Sequence, residues 1–220
     1  MTDAPPPEAL RLFIAVIVPE EVKTEIEKAQ AALRRALPGG CVRWTKREQF
    51  HLTLKFLGNL EAQRIESLAE AVRKACQGFA ALELRAERVG CFPNLRSPRV
   101  IWAGVRDREE RLPPLQRAVE AATRDFTKEE SPERFTGHVT LGRIKGLKRA
   151  EVEVLAGLVS GLGASFFGAW TAEEIEIIRS QLSPNGARHT TIATIPLSGG
   201  RLAGDGLQTQ AREGERPREP

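Results

Sequence analysis

The sequence predicts an α+β protein with two similar lobes, each an antiparallel sheet with helices on its outer face, facing across a central cleft. Three observations predict this fold. Segments with strand-like and helix-like apolar spacing alternate along the chain. The frame His-x-Thr-Leu occurs twice, at His51 and at His138, which indicates an internal repeat. Each copy is followed by a helix and a pair of strands, so the halves would be related by pseudo-two-fold symmetry.

Composition and charge describe an ordinary soluble protein with a weak preference for anionic partners. Hydrophobic residues make up 41% of the 220 residues and charged residues 28%, which is usual for globular domains. The net charge of +4 favours an anionic partner such as RNA without identifying one. The three cysteines are scattered, so we expect reduced thiols in a cytoplasmic protein. The longest apolar run, residues 12–18, is too short to span a membrane, and no signal peptide is recognisable.

Apolar periodicity divides the chain into strands and helices. The first strand is a continuous apolar run, which predicts burial on both faces. The expected strands are residues 10–18, 42–45, 50–57, 82–92, 99–105, 135–144, 164–170, 173–182 and 188–197. The expected helices are residues 20–37, 65–76, 111–126 and 149–160. Turns are expected at residues 58–59, 93–98 and 183–186, where Gly, Pro, Asn and Ser are concentrated.

The two ends of the chain have a different composition from the middle. Residues 1–9 are rich in proline, and we expect a disordered N-terminus there. Residues 198–220 contain Gly, Arg, Glu, Pro and Gln with almost nothing apolar, which predicts a disordered tail. Residues 10–197 would then form a single bilobal domain.

Alternation within the two motif strands separates the residues expected in the core from the residues expected to face the cleft. Side chains two residues apart in a strand point to the same face. The positions expected on the core face are Phe50, Leu52, Leu54, Phe56, Val139 and Leu141. The positions expected on the opposite face are His51, Thr53, Lys55, His138 and Thr140. Each strand would present an imidazole and a hydroxyl about 6–7 Å apart, and opposed lobes would place both pairs in one cleft.

Two imidazoles and two hydroxyls suit the opening of a phosphodiester without a metal. A neutral histidine can remove a proton from a nucleophile, while a protonated one donates a proton to the leaving oxygen. Threonine hydroxyls can donate hydrogen bonds to the phosphoryl oxygens between them. We therefore predict that His51 and His138 are catalytic, and that Thr53 and Thr140 bind the substrate phosphate, with no cofactor.

Two other kinds of active site have weaker support in the sequence. Neither motif has Asp, Glu or Cys at a spacing suited to metal ligation, so we expect no metal. A serine triad would need a nucleophile motif such as Gly-x-Ser-x-Gly, which does not occur.

The paired frames belong to a wider resemblance. The chain resembles the two-histidine (2H) phosphoesterase superfamily, and more narrowly the RNA 2′,3′-cyclic phosphodiesterases of bacteria and archaea, also called 2′-5′ RNA ligases. The resemblance covers nearly all of residues 10–197, with Gly137 where the family usually has proline. Besides the motifs, it rests on Arg-Leu-Phe-Ile-Ala-Val at 11–16, Arg-Trp at 43–44, Phe-Pro at 92–93, Arg-Val-Ile-Trp-Ala-Gly-Val at 99–105 and Arg-Ser-x-Leu at 179–182.

The resemblance implies a reaction and a partner. The reaction would be hydrolysis of a 2′,3′-cyclic phosphate to a 2′-phosphate with O3′ as the leaving group, together with ATP-independent 2′-5′ joining of RNA ends. It implies that His51 and His138 are the acid–base pair. We expect His138 to activate water and His51 to protonate O3′, while the symmetry of the two motifs leaves the reverse assignment open. The partner would be RNA with a 2′,3′-cyclic phosphate end, including tRNA fragments, and the protein would act as a cytoplasmic monomer.

Several basic residues are candidates for RNA or phosphate contacts. Arg43, Lys55 and Arg143 are the main ones, and Arg96, Arg99 and Arg134 are further ones. Each of them also has the alternative interpretation of a solvated surface charge. Lys55 shares the alternation of the first histidine, whereas Arg143 would reach the cleft only if a bulge occurs at Gly142.

Three questions stay open at this point. His189 stands where the family often has tyrosine, and we expect it on the surface or on an edge strand. A phosphodiesterase acting on small nucleotides, such as an ADP-ribose cyclic phosphate, is an alternative function. An RNA-binding module without turnover is the other alternative, and it predicts salt-sensitive RNA binding.

Overall fold

Strands and helices alternate along the chain in the predicted order. The computed structural model describes residues 8–130, 134–183 and 186–199. Its α-helices are α1 (Glu20–Ala36), α2 (Ile65–Cys76), α3 (Leu112–Thr123) and α4 (Arg149–Gly161). Its strands are β1 (Ala9–Ile17), β2 (Val42–Trp44), β3 (His51–Glu61), β4 (Leu82–Phe92), β5 (Val100–Asp107), β6 (His138–Ile144), β7 (Phe166–Ala172), β8 (Glu174–Ser183) and β9 (Gly186–Pro196).

The described strands form one antiparallel sheet. Their order is β7-β4-β5-β6-β3-β1-β8-β9, with β2 beside β6. The motif strands β3 and β6 are neighbours at its middle, where Leu52 pairs with Val139. The α+β class and the antiparallel pairing are confirmed. The two predicted lobes, however, are halves of one continuous sheet, because this central pair joins them. Their pseudo-two-fold symmetry stays a prediction.

Most of the apolar side chains lie between one face of this sheet and the helices. In β1, Leu12, Ile14 and Val16 belong to this main core, which also contains the buried faces of α1, α2, α3 and α4. Phe13 and Ala15 point to the opposite face, where they pack with Ile178 of β8. The strand is therefore buried on both faces, as predicted from its continuous apolar run.

Each motif strand contains a bulge three residues after its histidine. Between β1 and β3 the pairing passes from Thr53 directly to Lys55, so Leu54 has no partner. Between β5 and β6 it passes from Thr140 directly to Gly142, so Leu141 has none. An extra residue in one strand reverses the alternation of the residues that follow it. The two motifs thus share an irregularity as well as a sequence frame.

The first bulge corrects two predictions about the motif strand β3. Phe56 was expected in the core, but its side chain is 51% exposed. Lys55 was expected to face the cleft, but it is buried at 3% exposure. Both expectations assumed unbroken alternation from residue 50 to residue 56, which the bulge at Leu54 interrupts.

The turn expected at Gly58 and Asn59 is also wrong. Both residues lie within β3, which continues to Glu61. A further irregularity after Phe56 leaves Leu57 out of the pairing with β1, and Gly58 then pairs with Leu12. Gly58 has a φ of +68°, a conformation that glycine adopts without strain. The glycine therefore bends the strand without ending it.

The paired backbone extends slightly beyond residues 10–197. The carbonyl of Glu8 accepts a hydrogen bond from the amide of Ala62, and the Gly199 amide donates one to the Phe79 carbonyl, both at 2.9 Å. The rest of the two ends predicted to be disordered, and residues 184–185 of the predicted turn, lie outside the described residues. Among the helices that are described, none has the length and apolar character needed to cross a bilayer.

The second bulge gives a test of the packing behind the site. A Cβ atom on Gly142 would lie 2.6 Å from Cγ1 of Val42 and 3.0 Å from Cε3 of Trp44. We expect Gly142→Ala to lower the free energy of unfolding by about 1–3 kcal/mol, because Val42 is buried and has little room to move. Urea denaturation measures this, with Gly146→Ala as the control, since nothing lies within 4 Å of a Cβ there. Equal losses in both variants would contradict the packing described.

Candidate active site

The central pair of the sheet brings the two motifs together. Leu52 and Val139 are fully buried on the core face. Because the strands run antiparallel, continuing this register places His51 beside Thr140 and Thr53 beside His138. We call the surface formed by His51, Thr53, His138 and Thr140 the motif face. Its two histidines occupy one diagonal and its two threonines the other, and all four side chains are half-buried.

The backbone orients both imidazoles. Nδ1 of His138 lies 2.8 Å from the carbonyl oxygen of Thr136. Since a carbonyl can only accept, Nδ1 carries the proton and Nε2 is left for a ligand. The imidazole of His51 likewise has a hydrogen bond to the backbone of Gln49, two residues before it. Each imidazole is therefore held by a hydrogen bond to the backbone of the residue two positions before it.

Aromatic rings cover one side of each imidazole. Phe13 stacks on His51 with ring centroids 4.7 Å apart. Phe92 meets His138 edge-on at 5.0 Å, and Phe92 itself packs on Trp102 at 5.2 Å. These contacts restrict the rings and remove water from one side of each.

His189 is a neighbour of the first catalytic candidate. It lies on β9, an edge strand as predicted, but its ring meets His51 edge-on at 5.3 Å and Phe13 at 5.0 Å. The sequence alone does not predict this contact. The only signal available was the presence of a third histidine, because the contact depends on β8 pairing with β1, far away in the sequence.

The surroundings keep the histidines neutral. Burial lowers the pKa of His51 to about 3, with repulsion from His189 and, more weakly, from His138 and Lys23 adding to it. Burial also lowers the pKa of His138, and the nearby Arg143 cation acts in the same direction. The pKa of His189 is lowered by burial as well. At pH 7 without a ligand, all three imidazoles are therefore mainly unprotonated, and an acid catalyst would need an anion beside it.

Lys55 has a structural environment. Its Nζ lies 2.6 Å from Oε1 of Glu120 on α3 and 2.6 Å from the carbonyl oxygen of Glu129. These partners lie on the core side of β3, opposite to the motif face. The predicted orientation of Lys55 towards the phosphate is therefore wrong, and the cause is the bulge at Leu54.

Arg43 and Arg143 lie side by side near the motif face. They are directly opposite each other in the pairing of β2 with β6, and both are exposed. The bulge at Leu141 turns Arg143 to the side of His138, although the prediction had placed the bulge at Gly142. Neither arginine forms an ion pair with any carboxylate in the described parts of the chain. Like charges opposite each other repel, so an anion bound between them would be stabilising.

Comparison with known proteins identifies the family. Residues 16–102, which include the first motif, match the family described as LigT-like phosphoesterase. An RNA 2′,3′-cyclic phosphodiesterase from Methanothermobacter thermautotrophicus is 30% identical over 190 residues, which cover 86% of this chain and 99% of that protein. The chain belongs to the LigT-like phosphoesterases. The resemblance to the 2H phosphoesterase superfamily is thereby confirmed.

Two further similarities support this LigT-like assignment. A relative from Thermotoga maritima, also named RNA 2′,3′-cyclic phosphodiesterase, is 35% identical over 138 residues, covering 62% of this chain and 71% of its own length. A crystal structure of a protein from Thermus thermophilus superposes with a TM-score of 0.70 at 27% identity, covering 87% of this chain and 100% of that one. The fold of this LigT-like chain is thus shared over nearly its whole described length.

The contact between His189 and His51 can be tested by NMR titration. The chain has only three histidines, so their imidazole signals are readily separated. We expect the His51 signal to show no protonation between about pH 8 and pH 5, because the pKa of His51 lies well below the ordinary range for histidine. In His189→Ala the pKa of His51 should rise, because both burial and repulsion decrease.

The neighbouring substitution Thr190→Ala is the control, because it changes an exposed residue of the same strand. It should leave the His51 titration unchanged. A His51 pKa that is the same in the wild type and in His189→Ala would contradict the described contact.

Proposed function

We propose that this protein hydrolyses the 2′,3′-cyclic phosphate at the end of an RNA to a 2′-phosphate, by metal-independent acid–base catalysis with His51 and His138. The observation that carries the proposal is the motif face, where two imidazoles lie on one diagonal and two hydroxyls on the other. The names of the relatives from M. thermautotrophicus and T. maritima support the same reaction.

In the proposed mechanism the two histidines act at opposite sides of the phosphorus atom. His138 removes a proton from water, whose oxygen forms the new bond to phosphorus. The bond from phosphorus to O3′ breaks, and His51 donates its proton to O3′. Nucleophile and leaving group must lie roughly in line in such a displacement. The diagonal separation of the imidazoles suits this requirement better than neighbouring positions would.

The threonines and arginines would hold the charge of the phosphate. Thr53 and Thr140 occupy the corners between the histidines, where their hydroxyls can donate to the non-bridging oxygens. Arg43 and Arg143 would add positive charge from one side. These four residues act on the phosphate group itself, so they carry no selectivity among bases.

Nearby cationic groups disfavour a proton on both histidines. Arg143 acts on His138, whereas His189 and Lys23 act on His51, so charge in the free protein does not distinguish the base from the acid. The low pKa of His51 describes the protein without a substrate. An anionic cyclic phosphate would favour the imidazolium, so substrate binding would supply the condition for His51 to act as an acid.

The same groups would also allow RNA ends to be joined. If an RNA 5′-hydroxyl takes the place of water, His138 removes its proton and the oxygen attacks the cyclic phosphate. Release of O3′ then leaves a 2′-5′ linkage. The cyclic phosphate is the activated group, so no ATP is consumed.

We further propose that residues 10–197 act as a single bilobal unit, as a cytoplasmic monomer, on RNA that includes tRNA fragments. All three cysteines are unpaired, which fits a reducing compartment.

The proposal predicts hydrolysis of 2′,3′-cyclic AMP to 2′-AMP in the presence of EDTA. His51→Ala and His138→Ala should each lower kcat by about 10²–10⁴-fold, because each removes one proton-transfer group. Thr53→Val and Thr140→Val should raise KM and lower kcat, whereas Thr190→Val, an exposed threonine elsewhere, is the control. Chromatography separates 2′-AMP from 3′-AMP, and circular dichroism checks the fold of each variant.

Two outcomes would overturn the mechanism. One is a loss of activity in EDTA, and the other is full activity in both histidine variants. Parallel assays with ADP-ribose cyclic phosphate separate the small-nucleotide alternative. RNA binding without any turnover would instead indicate the binding module.

A further inference from the structure

An open pocket lies at the C-terminal end of β6, the end opposite to His138. Its volume is about 390 Å³. Its polar lining consists of Arg96, Ser97, Arg99 and Lys145, and its apolar lining includes Val152 of α4. The three cationic side chains are exposed. We call this site the basic pocket.

The three cations of the basic pocket have no carboxylate partner among the described residues, whereas several other cations do. On α1, Lys23 and Lys28 pair with glutamates of the same helix, and Arg47 pairs with two of its glutamates. Arg96, Arg99 and Lys145 form no ion pair within residues 8–130, 134–183 and 186–199, and no carboxylate lines the pocket. Converging like charges repel, so the pocket suits an anion.

The basic pocket lies further along β6 from the motif face. Lys145 follows Arg143 by two residues, and its amide donates a 2.8 Å hydrogen bond to the carbonyl of Cys41, which extends the pairing with β2. Alternation therefore turns Lys145 to the same side as Arg143. The carbonyl of Arg99 accepts a 2.8 Å hydrogen bond from the amide of Ile144, which extends the pairing of β5 with β6. Arg99 therefore lies directly opposite Ile144, which packs against the main core, so its side chain is on the helix side of the sheet, whereas Arg143 and Lys145 are on the side of the motif face. The basic pocket thus lies at the end of the sheet, about 16 Å along β6 from Thr140 at a rise near 3.3 Å per residue.

We propose that the basic pocket binds a backbone phosphate of the RNA strand whose cyclic phosphate end lies at the motif face. This inference rests on the proposed function. In a 2′,3′-cyclic phosphate both ribose oxygens at the 3′ end are occupied, so the strand continues from the site only in the 5′ direction. Upstream phosphates are then the nearest remaining anions. A mononucleotide has none, so the pocket distinguishes RNA chains from cyclic mononucleotides.

The test compares two substrates in the variant Arg96→Ala/Arg99→Ala/Lys145→Ala. One substrate is 2′,3′-cyclic AMP, and the other is a single-stranded RNA of about eight nucleotides ending in a 2′,3′-cyclic phosphate. We expect kcat/KM for the RNA to fall at least about tenfold. The slope of log kcat/KM against log salt concentration should also become shallower by about 2, because three phosphate contacts are lost. For cyclic AMP, kcat/KM should stay within about twofold, because the substitutions do not touch the motif face.

A matched control variant removes three positive charges from another part of the surface. Arg34→Ala/Arg35→Ala/Lys74→Ala changes three exposed cations of α1 and α2, and it should leave both substrates unaffected. An equal loss of kcat/KM for the RNA in the control variant would overturn the proposed role of the basic pocket. So would an unchanged rate for the RNA, or an equal loss for both substrates, in the pocket variant.

The two levels of inference fail in different ways. If the wild type hydrolyses cyclic AMP but the pocket variant shows no selective loss for RNA, the function stands and the basic pocket is wrong. If the wild type hydrolyses neither substrate, the proposed function fails and the basic pocket fails with it.

Discussion

The site depends on the direction in which two strands meet. Leu52 pairs with Val139 at the middle of the sheet, and both side chains are fully buried. Because β3 and β6 are antiparallel, the sequence His-x-Thr is opposed by Thr-x-His, so each imidazole lies beside the hydroxyl of the other motif. Parallel strands would have placed histidine beside histidine. One buried aliphatic pair thus separates the two catalytic candidates by a diagonal, which suits the proposed in-line displacement.

The two bulges make the motifs equivalent in backbone and different in charge. Each bulge turns the residue five positions after the histidine towards the motif face, Phe56 in one strand and Arg143 in the other. The residue before it points to the core, where Lys55 meets Glu120 and the smaller Gly142 fits against Val42. The two motifs therefore differ in charge although the backbone repeats, and Arg43 and Arg143 lie beside the second of them.

Periodicity predicted the elements of the fold, and alternation predicted the faces of residues 50–54 and 138–141. The predictions failed where the orientation or the contacts of a residue depend on pairing with a strand that is distant in sequence. The bulge at Leu54 is defined by β1, so neither the burial of Lys55 nor the exposure of Phe56 follows from the motif. His189 reaches His51 only because β8 pairs with β1 and β9 with β8. Gly58 was interpreted as a turn because a glycine in a bulge and a glycine in a turn have the same local sequence signal.

The most direct test of the central claim is the pH dependence of kcat for 2′,3′-cyclic AMP in the wild type and in the two histidine variants, because kcat reports the pKa values of the histidines with substrate bound. The wild type should give a bell-shaped profile. His138→Ala should lose the acidic limb, which reports protonation of the base, and His51→Ala should lose the alkaline limb, which reports deprotonation of the acid. An exchange of the two limbs would reverse the assigned roles. Retention of both limbs in both variants would contradict acid–base catalysis by this pair.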